Sequence, residues 1–287
     1  MHIFVTGATG WVGSAVVAEL IGAGHRVTGL SRSADKARAL EAAGAEVRLG
    51  TLDDLDLLQE AASASDAVIH TAFNHDFSRF AENAEQDRRA IKALGLALAG
   101  SDRPLIVTSG LSGLPRGATE ADAPDPSASP RKSEVAASTL AERGVRVATI
   151  RLAPSVHGIG DSHGFVPMLI ARARESGVSA YLGDGDNRWA GVHRSDAARL
   201  YRLALESGLT SVTYHAVADE GVPFKAIAAA IGNRLGLPTE PRTREHFGWF
   251  AMMAGAEMSA SSERTRAATG WVPTGPGLLA DIADYTF

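Results

Sequence analysis

The feature that most constrains this fold is a repeated alternation of short apolar strand patterns with helical patterns through the first half of the chain. Residues 2–6 form an apolar run, and Val12, Val16 and Leu20 then recur at helical spacing. The same order repeats as far as the apolar run VRVATIRL, which ends at Leu152. Because each helix returns the chain to the same edge of a sheet, the alternation predicts an α/β fold with a doubly wound parallel sheet.

Three glycines lie in the turn that follows the first predicted strand. Gly7, Gly10 and Gly13 are spaced three residues apart in the stretch TGATGWVG. We interpret Gly7 as a residue that needs φ freedom, Gly10 as a point where a ligand approaches the backbone, and Gly13 as a close helix contact. Backbone N–H groups and the positive end of a helix that begins near Trp11 favour an anion, so the turn predicts a dinucleotide pyrophosphate site.

This turn resembles the T-G-x-x-G-x-x-G signature of the extended and atypical short-chain dehydrogenases/reductases, which are relatives of the NAD(P)-dependent epimerases and dehydratases. Later segments are similar to further parts of that family, namely DAVIHTA, IVTSG, RLAPSVHGIGD and WAGVHRSDAARLYRLALE. The resemblance implies a Rossmann-type fold with a smaller C-terminal substrate lobe. We expect a dinucleotide-binding domain over 1–153, rejoined by about 190–218, and a substrate-binding lobe over 154–189 and 219–287.

The residues that end the second predicted strand, Ser31, Arg32 and Ser33, indicate which nucleotide binds. NAD-specific relatives place an acidic ribose acceptor here, whereas an arginine is suited to a 2′-phosphate. A charge-assisted hydrogen bond contributes about 1.5–3 kcal/mol, or roughly ten- to hundredfold in affinity. We therefore predict NADP(H) as the cofactor. The alternative is that Arg32 is a solvated side chain at a strand end.

Further cofactor contacts follow from the resemblance. Asp53 is expected to accept a hydrogen bond from the adenine amine, and the alternative is that Asp53 or Asp54 caps the next helix. The other expected contacts are Thr9, Trp11, Val12, Leu52, Ala72, Phe73 and Pro154.

The family's catalytic tyrosine and lysine, spaced Y-x-x-x-K, are missing from this chain. Lys132 lies near the expected place, but Ala128 stands four residues before it. No tyrosine of the chain is followed by a lysine at that spacing; the four tyrosines are Tyr181, Tyr201, Tyr214 and Tyr285. A positioned general acid contributes about 10²- to 10⁴-fold to a rate, so ordinary ketone reduction would need a substitute.

Two residues are predicted to take part in catalysis. Ser109 aligns with the family's catalytic serine or threonine, and Thr108 and Ser112 are alternatives if the register differs. His157 replaces the tyrosine of the family's R-x-x-x-V-Y-G-P-G-D segment and is the predicted replacement acid, because a histidine near its ordinary pKa can donate a proton. The alternative is that His157 closes a loop against the core.

Substrate contacts are predicted from a loop and from the lobe. Asn74 and His75 follow the fourth strand, at the carboxyl edge where ligands bind in open sheets, and Ser112 follows the fifth. Residues 244–261 concentrate Phe, Trp and Met, which indicates either core packing or a wall over an apolar ligand. The contacts expected from the lobe are Phe165, Arg188 and Trp189, with Arg188 as an anion anchor or a surface ion pair.

Composition excludes several classes of function. A net charge of −5 without a Lys/Arg run argues against a nucleic-acid partner, and no long apolar run predicts a membrane span. The chain has no cysteine and its histidines lack ligand spacing, so no metal site is predicted. A cytoplasmic location is expected by default. The resemblance also favours a homodimer that pairs through helices near 80–98 and 132–142.

Together these patterns predict an NAD(P)H-dependent oxidoreductase of the atypical short-chain dehydrogenase type. We expect it to reduce a small, mostly apolar carbonyl, imine or activated alkene, because an iminium or a quinone needs less help from a protein acid than a plain ketone does. Two alternatives stay open. One is a non-catalytic redox sensor that binds NADPH, and the other is an epimerase or lyase that retains its cofactor.

Overall fold

The predicted alternation of strands and helices is confirmed by a computed structural model, which describes residues 1–125, 130–162 and 164–285. Its strands are β1 (His2–Thr6), β2 (Arg26–Ser31), β3 (Glu46–Leu49), β4 (Ala67–His70), β5 (Leu105–Gly110), β6 (Val147–Leu152), β7 (Ser155–His157), β8 (Ser179–Leu182), β9 (Arg188–His193), β10 (Thr213–Ala216), β11 (Asp219–Pro223) and β12 (Thr239–Arg242).

The α-helices follow the same order along the chain. They are α1 (Trp11–Gly22), α2 (Ala34–Ala42), α3 (Leu55–Ser63), α4 (Phe80–Leu98), α5 (Ser133–Ala141), α6 (Phe165–Ser176), α7 (Arg194–Glu206), α8 (Phe224–Leu235), α9 (Arg244–Phe247), α10 (Ala251–Ala254), α11 (Glu263–Thr269) and α12 (Leu278–Ala283). Short 3₁₀ turns occupy Phe77–Arg79 and Gly248–Phe250.

Seven parallel strands form the central sheet in the order β10-β6-β5-β4-β1-β2-β3. The chain winds outward from β1 through β2 and β3 on one side, and through β4, β5 and β6 on the other. The order therefore reverses between β1 and β4, and a doubly wound sheet binds ligands in the crevice that this reversal opens at the carboxyl ends of the strands. The predicted doubly wound, Rossmann-type sheet is confirmed.

Two apolar layers cover the sheet. Ile106 of β5 packs in the cluster that contains Val16 of α1 and Tyr201 of α7, whereas Val107 packs in the cluster that contains Ile91 of α4 and Leu140 of α5. Successive side chains of a strand point to opposite faces. Thr108 and Ser109, at the end of β5, therefore point to opposite faces of the sheet.

A third apolar cluster lies in the C-terminal half and contains Trp189, Phe224 and Phe247. It corresponds to most of the predicted substrate lobe. Ala260 and Trp271, however, pack in the same cluster as Tyr201 and so belong to the main core. The division into 1–153 with 190–218, and 154–189 with 219–287, stays a prediction.

The surface of the described residues bears on two further expectations. None of the helices in these ranges combines the length and apolar character that a bilayer span needs. On α4 and α5, Leu96 is 44% exposed and Val135 60% exposed, which is compatible with pairing of two copies through these helices. The homodimer and the cytoplasmic location stay predictions.

Candidate functional site

Two of the three glycines are required by contact between the first strand, the first helix and the end of β4. Gly7 has φ +68°, and a Cβ atom there would lie 2.6 Å from the backbone nitrogen of Ala72. A Cβ atom on Gly13 would lie 2.0 Å from the carbonyl oxygen of Gly7 and 2.7 Å from Thr71 Oγ1. These separations leave no room for a side chain, because real Cβ contacts at van der Waals distance exceed 3.4 Å.

Gly10 differs from the other two glycines because an added Cβ would meet one backbone atom only, and less closely. Its φ is −80°, and the nearest atom to an added Cβ is the carbonyl oxygen of Gly7 at 3.2 Å. Gly10 caps the N-terminus of α1, whose first turn contains no acidic residue. The N–H groups of this turn fit a pyrophosphate, since a helix N-terminus with free donors attracts an anion.

Of the three residues at the end of β2, Ser31 and Ser33 stabilise the turn, whereas Arg32 is available to a ligand. The buried Ser31 hydroxyl donates to the carbonyl oxygen of Ser33 at 2.9 Å, and Ser33 Oγ accepts from the N–H of Lys36 at 3.5 Å as the N-cap of α2. Arg32 is exposed and forms no hydrogen bond or ion pair with the described residues. Its guanidinium is therefore free to bind a phosphate at this corner.

Asp53 lies at the surface between β3 and α4. Its carboxylate accepts hydrogen bonds from Gln86 Nε2 at 2.6 Å and from Arg89 at 3.1 Å. Asp54 stands at the N-cap of α3, but its side chain accepts from the N–H and hydroxyl of Thr51, and these bonds lower the pKa of Asp54. Side-chain capping of α3 by either residue is therefore wrong, and the adenine contact of Asp53 stays a prediction.

The remaining expected cofactor contacts lie around the glycine turn. Ala72 contributes its backbone against Gly7. The indole of Trp11 donates to the carbonyl oxygen of Val156 at 2.7 Å and packs under the Arg194 guanidinium, so the backbone of Trp11 is the part left for a nucleotide. The contacts of Thr9, Val12, Leu52, Phe73 and Pro154 with a nucleotide stay predictions.

Ser109 is the best placed of the three predicted hydroxyl groups. It ends β5 at the carboxyl edge, and within the described ranges no partner satisfies its hydroxyl group. The Thr108 hydroxyl is bonded to Tyr201 at 2.7 Å on the other face of the sheet. Ser112 is exposed beyond the strand. The catalytic role of Ser109 stays a prediction, and Thr108 is excluded as its substitute because its hydroxyl is engaged.

Arg131, which the sequence analysis did not single out, lies beside Ser109 at the same edge. Its Nε donates to Ser133 Oγ at 3.0 Å and its Nη2 donates to the carbonyl oxygen of Thr108 at 3.1 Å. The guanidinium carbon lies 4.3 Å from the centre of the Phe73 ring. Lys132, which lies near the family's lysine position, instead pairs with Glu85 at the surface, at 2.8 Å.

A buried chain of hydrogen bonds connects Arg131 to the glycine turn. Ser133 Oγ donates to Asp87 Oδ2 at 2.6 Å, and His70 Nε2 donates to Asp87 Oδ1 at 2.9 Å. The Thr6 hydroxyl donates to His70 Nδ1 at 2.8 Å. Each of these four side chains is at most 1% exposed, and Thr6 directly precedes Gly7.

His157 does not have the position that its predicted role as proton donor requires. It is 2% exposed, its Nδ1 bonds Asp281 Oδ2 at 2.8 Å, and its Nε2 lies 3.9 Å from Asp219 Oδ2. Burial lowers the pKa of His157. The ring is enclosed by segments from the C-terminal part of the chain, so the structure supports the alternative, a histidine that closes a loop against the core.

Buried histidines predict a loss of stability in mild acid. Burial lowers the pKa of both His157 and His215. In the unfolded chain a histidine keeps an ordinary pKa of about 6.5, so the unfolded state binds more protons as the pH falls through that value. The stabilisation is therefore present above about pH 6.5 and is lost below it. We expect urea titrations to give a smaller free energy of unfolding at pH 5 than at pH 7, and His157→Gln to reduce this difference; equal free energies at the two pH values would contradict the expectation.

The loop after β4 packs against the lobe through an aromatic wall, which consists of Phe73, Phe77, Phe80, Phe165 and Trp249. Neighbouring rings in it are 5.0–6.1 Å apart, and Trp249 remains 56% exposed. His75 contacts the wall, and burial together with the positive charge of Arg131 lowers the pKa of His75. The wall brings two predicted substrate contacts, His75 and Phe165, to one side of Arg131.

Other predicted substrate contacts have structural roles. Trp189 is 0% exposed and packs between Phe165, Phe224 and Phe250, so its predicted contact with substrate is wrong in this conformation. The Arg188 guanidinium donates to the carbonyl oxygen of Gly221 at 3.3 Å rather than to a carboxylate. The substrate contacts of Arg188, Asn74 and Ser112 stay predictions.

Two features bear on metal binding and on the missing catalytic tyrosine. In the described part of the chain, no three His, Cys, Asp or Glu side chains are grouped so that they could hold a metal ion. Tyr201 is completely buried, and burial raises the pKa of its phenol well above the ordinary value. This phenol is bonded to Thr108 inside the core, so it does not replace the missing catalytic tyrosine.

Comparisons with known proteins identify what the chain is similar to. A profile of the NAD dependent epimerase/dehydratase family matches residues 3–98. An uncharacterized protein of Schizosaccharomyces pombe is 46% identical over 100% of both chains, and one of Saccharomyces cerevisiae is 41% identical over 100% of this chain and 99% of its own. Among solved structures, the dTDP-glucose 4,6-dehydratase DesIV of Streptomyces venezuelae, with NAD and TYD bound, has a TM-score of 0.79 at 18% identity, over 99% of this chain and 95% of its own. The last likeness concerns the fold alone.

Proposed function

The chain belongs to the NAD-dependent epimerase/dehydratase family, and from that premise we propose that it is an NADPH-dependent reductase of a small, mostly apolar carbonyl, imine or activated alkene. One observation carries the proposal. The turn of Gly7, Gly10 and Gly13 lies at the same edge of the sheet as Ser109, Arg131 and the aromatic wall. This supports a nucleotide bound next to an apolar substrate at the switch point where α/β folds bind their ligands.

The chain's own residues have separable tasks in this reaction. The N–H groups of the first turn of α1 hold the pyrophosphate, and Arg32 holds the 2′-phosphate. When bound, the reduced nicotinamide supplies a hydride. Ser109 donates a hydrogen bond to the substrate atom that gains negative charge. The aromatic wall orients an apolar substrate beside the reacting atoms.

The missing tyrosine limits which substrates this edge can reduce. Tyr201 and His157 are both buried and bonded elsewhere, so neither can give a proton to a substrate beside Ser109 in this conformation. An iminium already carries positive charge, and a quinone or an activated alkene becomes a delocalised anion. These substrates need the least help from a positioned acid.

A redox sensor that binds NADPH is the second candidate, and the missing tyrosine favours it. A sensor has no evident use for an aromatic wall next to a serine hydroxyl without a partner. Pure protein mixed with NADPH and a panel of quinones, enones, imines and ketones separates the two candidates. Loss of nicotinamide absorbance with any compound supports the reductase, whereas tight NADPH binding without turnover supports the sensor.

Replacing Ser109 by alanine should lower kcat by about ten- to hundredfold, because a hydrogen bond to a charged group contributes about 1.5–3 kcal/mol. NADPH affinity measured by calorimetry should remain within about twofold of the unmodified protein. Ser261→Ala is the control, since that hydroxyl bonds Glu220 at the surface. Unchanged turnover in Ser109→Ala would exclude Ser109 from the reaction.

A further inference from the structure

We propose that Arg131 takes over the task of the missing proton donor by stabilising the negative charge that develops on the substrate oxygen, and that Ser133, Asp87 and His70 position it. The proposal deepens the proposed function and rests on it. It assigns a catalytic role to Arg131 and positioning roles to the three residues behind it.

The guanidinium of Arg131 lies at the carboxyl edge of the sheet. Arg131 bonds the carbonyl oxygen of Thr108, whose next residue is Ser109, and it lies over Phe73 of the aromatic wall. It thus contacts β5 and the loop that follows β4, at the carboxyl edge of the sheet. The guanidinium therefore lies at the carboxyl edge, where open α/β sheets bind their ligands.

A series of buried hydrogen bonds holds the guanidinium of Arg131 in place. The Ser133 hydroxyl stands between the guanidinium and the Asp87 carboxylate, and His70 bonds the other oxygen of that carboxylate. Because Asp87 and His70 are buried and bonded on both sides, this arrangement has little freedom to move. Electrostatic stabilisation is strongest when the donor is held in place before the charge develops.

The chemistry balances without a protein acid. In the proposed reduction the far carbon of a C=C bond conjugated to the substrate's carbonyl gains a hydride from NADPH. The π pair of that bond shifts toward the carbonyl carbon, and the π pair of the C=O bond moves onto the oxygen as an enolate. Arg131 stabilises that oxyanion, which then takes a proton from water. Arginine holds its proton too firmly to transfer it, so it acts as a fixed charge rather than as an acid.

This division of tasks indicates a substrate class. A fixed cation favours a carbonyl whose reduced form is a stable, delocalised anion, and the aromatic wall favours a flat ring next to it. We infer that the substrate is a quinone or an aryl-substituted enone. A saturated ketone yields a localised alkoxide, which needs the proton that this edge does not supply.

The first test compares Arg131→Gln with Arg131→Lys. We expect Arg131→Gln to lower kcat for the best quinone or enone by about 10²- to 10³-fold, the usual effect of losing one oxyanion donor, with NADPH affinity within about twofold. Arg131→Lys should recover part of the loss, and guanidinium chloride should restore turnover to Arg131→Ala. Arg88→Gln is the matched control, because Arg88 follows Asp87 directly but pairs with Glu85 at the surface.

The second test examines positioning through a double-mutant cycle. Asp87→Asn should lower kcat by roughly ten- to hundredfold through misplacement of the guanidinium. The double variant Asp87→Asn with Arg131→Gln should lose no more than Arg131→Gln alone, because both changes remove one unit of function. Additive losses would overturn the positioning role, since they would mean that Asp87 acts independently of Arg131.

A binding measurement separates failure of this proposal from failure of the proposed function. Benzoate combines a flat ring with a charged oxygen, and we expect it to bind to the NADP⁺-saturated protein and to bind Arg131→Gln at least about tenfold more weakly. If the protein oxidises no NADPH with any compound, the reductase fails, and an Arg131-dependent benzoate site still supports the anion-binding role. Equal or absent benzoate binding in both proteins, or full turnover by Arg131→Gln, would overturn the proposal.

Discussion

Replacing Arg32 by alanine should abolish the preference for NADPH over NADH. A charge-assisted contact with the 2′-phosphate contributes about 1.5–3 kcal/mol, so NADPH affinity should fall by roughly ten- to hundredfold while NADH affinity stays nearly constant. The substitution should leave the fold unchanged because the Arg32 side chain is exposed and forms no hydrogen bond or ion pair among the described residues. Calorimetric titration of the two reduced nucleotides gives both affinities without any substrate.

A neighbouring arginine provides the control for nonspecific charge. Arg38 lies on α2 close to the same corner, but its guanidinium pairs with Asp35 at 2.5 Å. Arg38→Ala removes the same formal charge and should change the NADPH preference less than about threefold, since exposed ion pairs contribute about 1 kcal/mol or less. If Arg32→Ala keeps the preference for NADPH, the 2′-phosphate binds elsewhere. If the unmodified protein binds NADPH and NADH equally, Arg32 does not hold the phosphate.

The sheet could be predicted from the sequence because its strands are short apolar runs separated by amphipathic helices. The expected helix near 80–98 matches α4 (Phe80–Leu98), for example. The lobe could not be predicted in the same way. Its strands form two small sheets, β11-β9-β7 and β12-β8, whose paired strands are distant in sequence, and α9 and α10 have only four residues each, so the lobe lacks the repeated strand–helix pattern of the main sheet.

The candidate site was predicted only where local chain geometry defines it. The spacing of Gly7, Gly10 and Gly13 describes a turn within seven residues, and the structure gives Gly7 and Gly13 separate physical reasons. Arg131 was missed because its place depends on contacts with Thr108 and Phe73, which are distant in sequence. No local pattern encodes that arrangement.

One signal for the buried network was nevertheless present in the sequence. Asp87 shares a helical face with Ala84, Ile91 and Leu94, all of which are buried in α4. A carboxylate on an apolar helix face needs a partner, and His70 at the end of an apolar strand is a suitable one.

His157, in contrast, was assigned a catalytic role that the structure does not support. The similarity of its segment to the family placed it along the chain, but only the fold shows that its ring contacts Asp281 and not the Ser109 edge.

Replacing Gly10 by alanine should weaken nucleotide binding strongly while it lowers the stability of the fold only slightly. At Gly10 an added methyl group meets only the Gly7 carbonyl oxygen, at 3.2 Å, and a shift of a few tenths of an ångström relieves that contact, so Gly10→Ala should cost clearly less stability than Gly13→Ala. The methyl group would occupy the space assigned to the pyrophosphate. Crowding of this kind costs about 1–3 kcal/mol, so nucleotide affinity should fall by roughly ten- to hundredfold.

Gly13 and Gly22, in the same helix, complete the comparison. Gly13→Ala would place a methyl group 2.0 Å from a backbone oxygen that cannot move alone, so it should lower the free energy of unfolding by about 1–3 kcal/mol or more as well as weakening nucleotide binding. Gly22→Ala meets no atom within 4 Å and should raise stability by about 0.4–1 kcal/mol without changing affinity. Urea titration and nucleotide calorimetry on all three variants distinguish a space reserved for a ligand from one required by the fold. Should Gly10→Ala bind NADPH as tightly as the unmodified protein, the turn is a structural corner alone and the nucleotide does not lie on it.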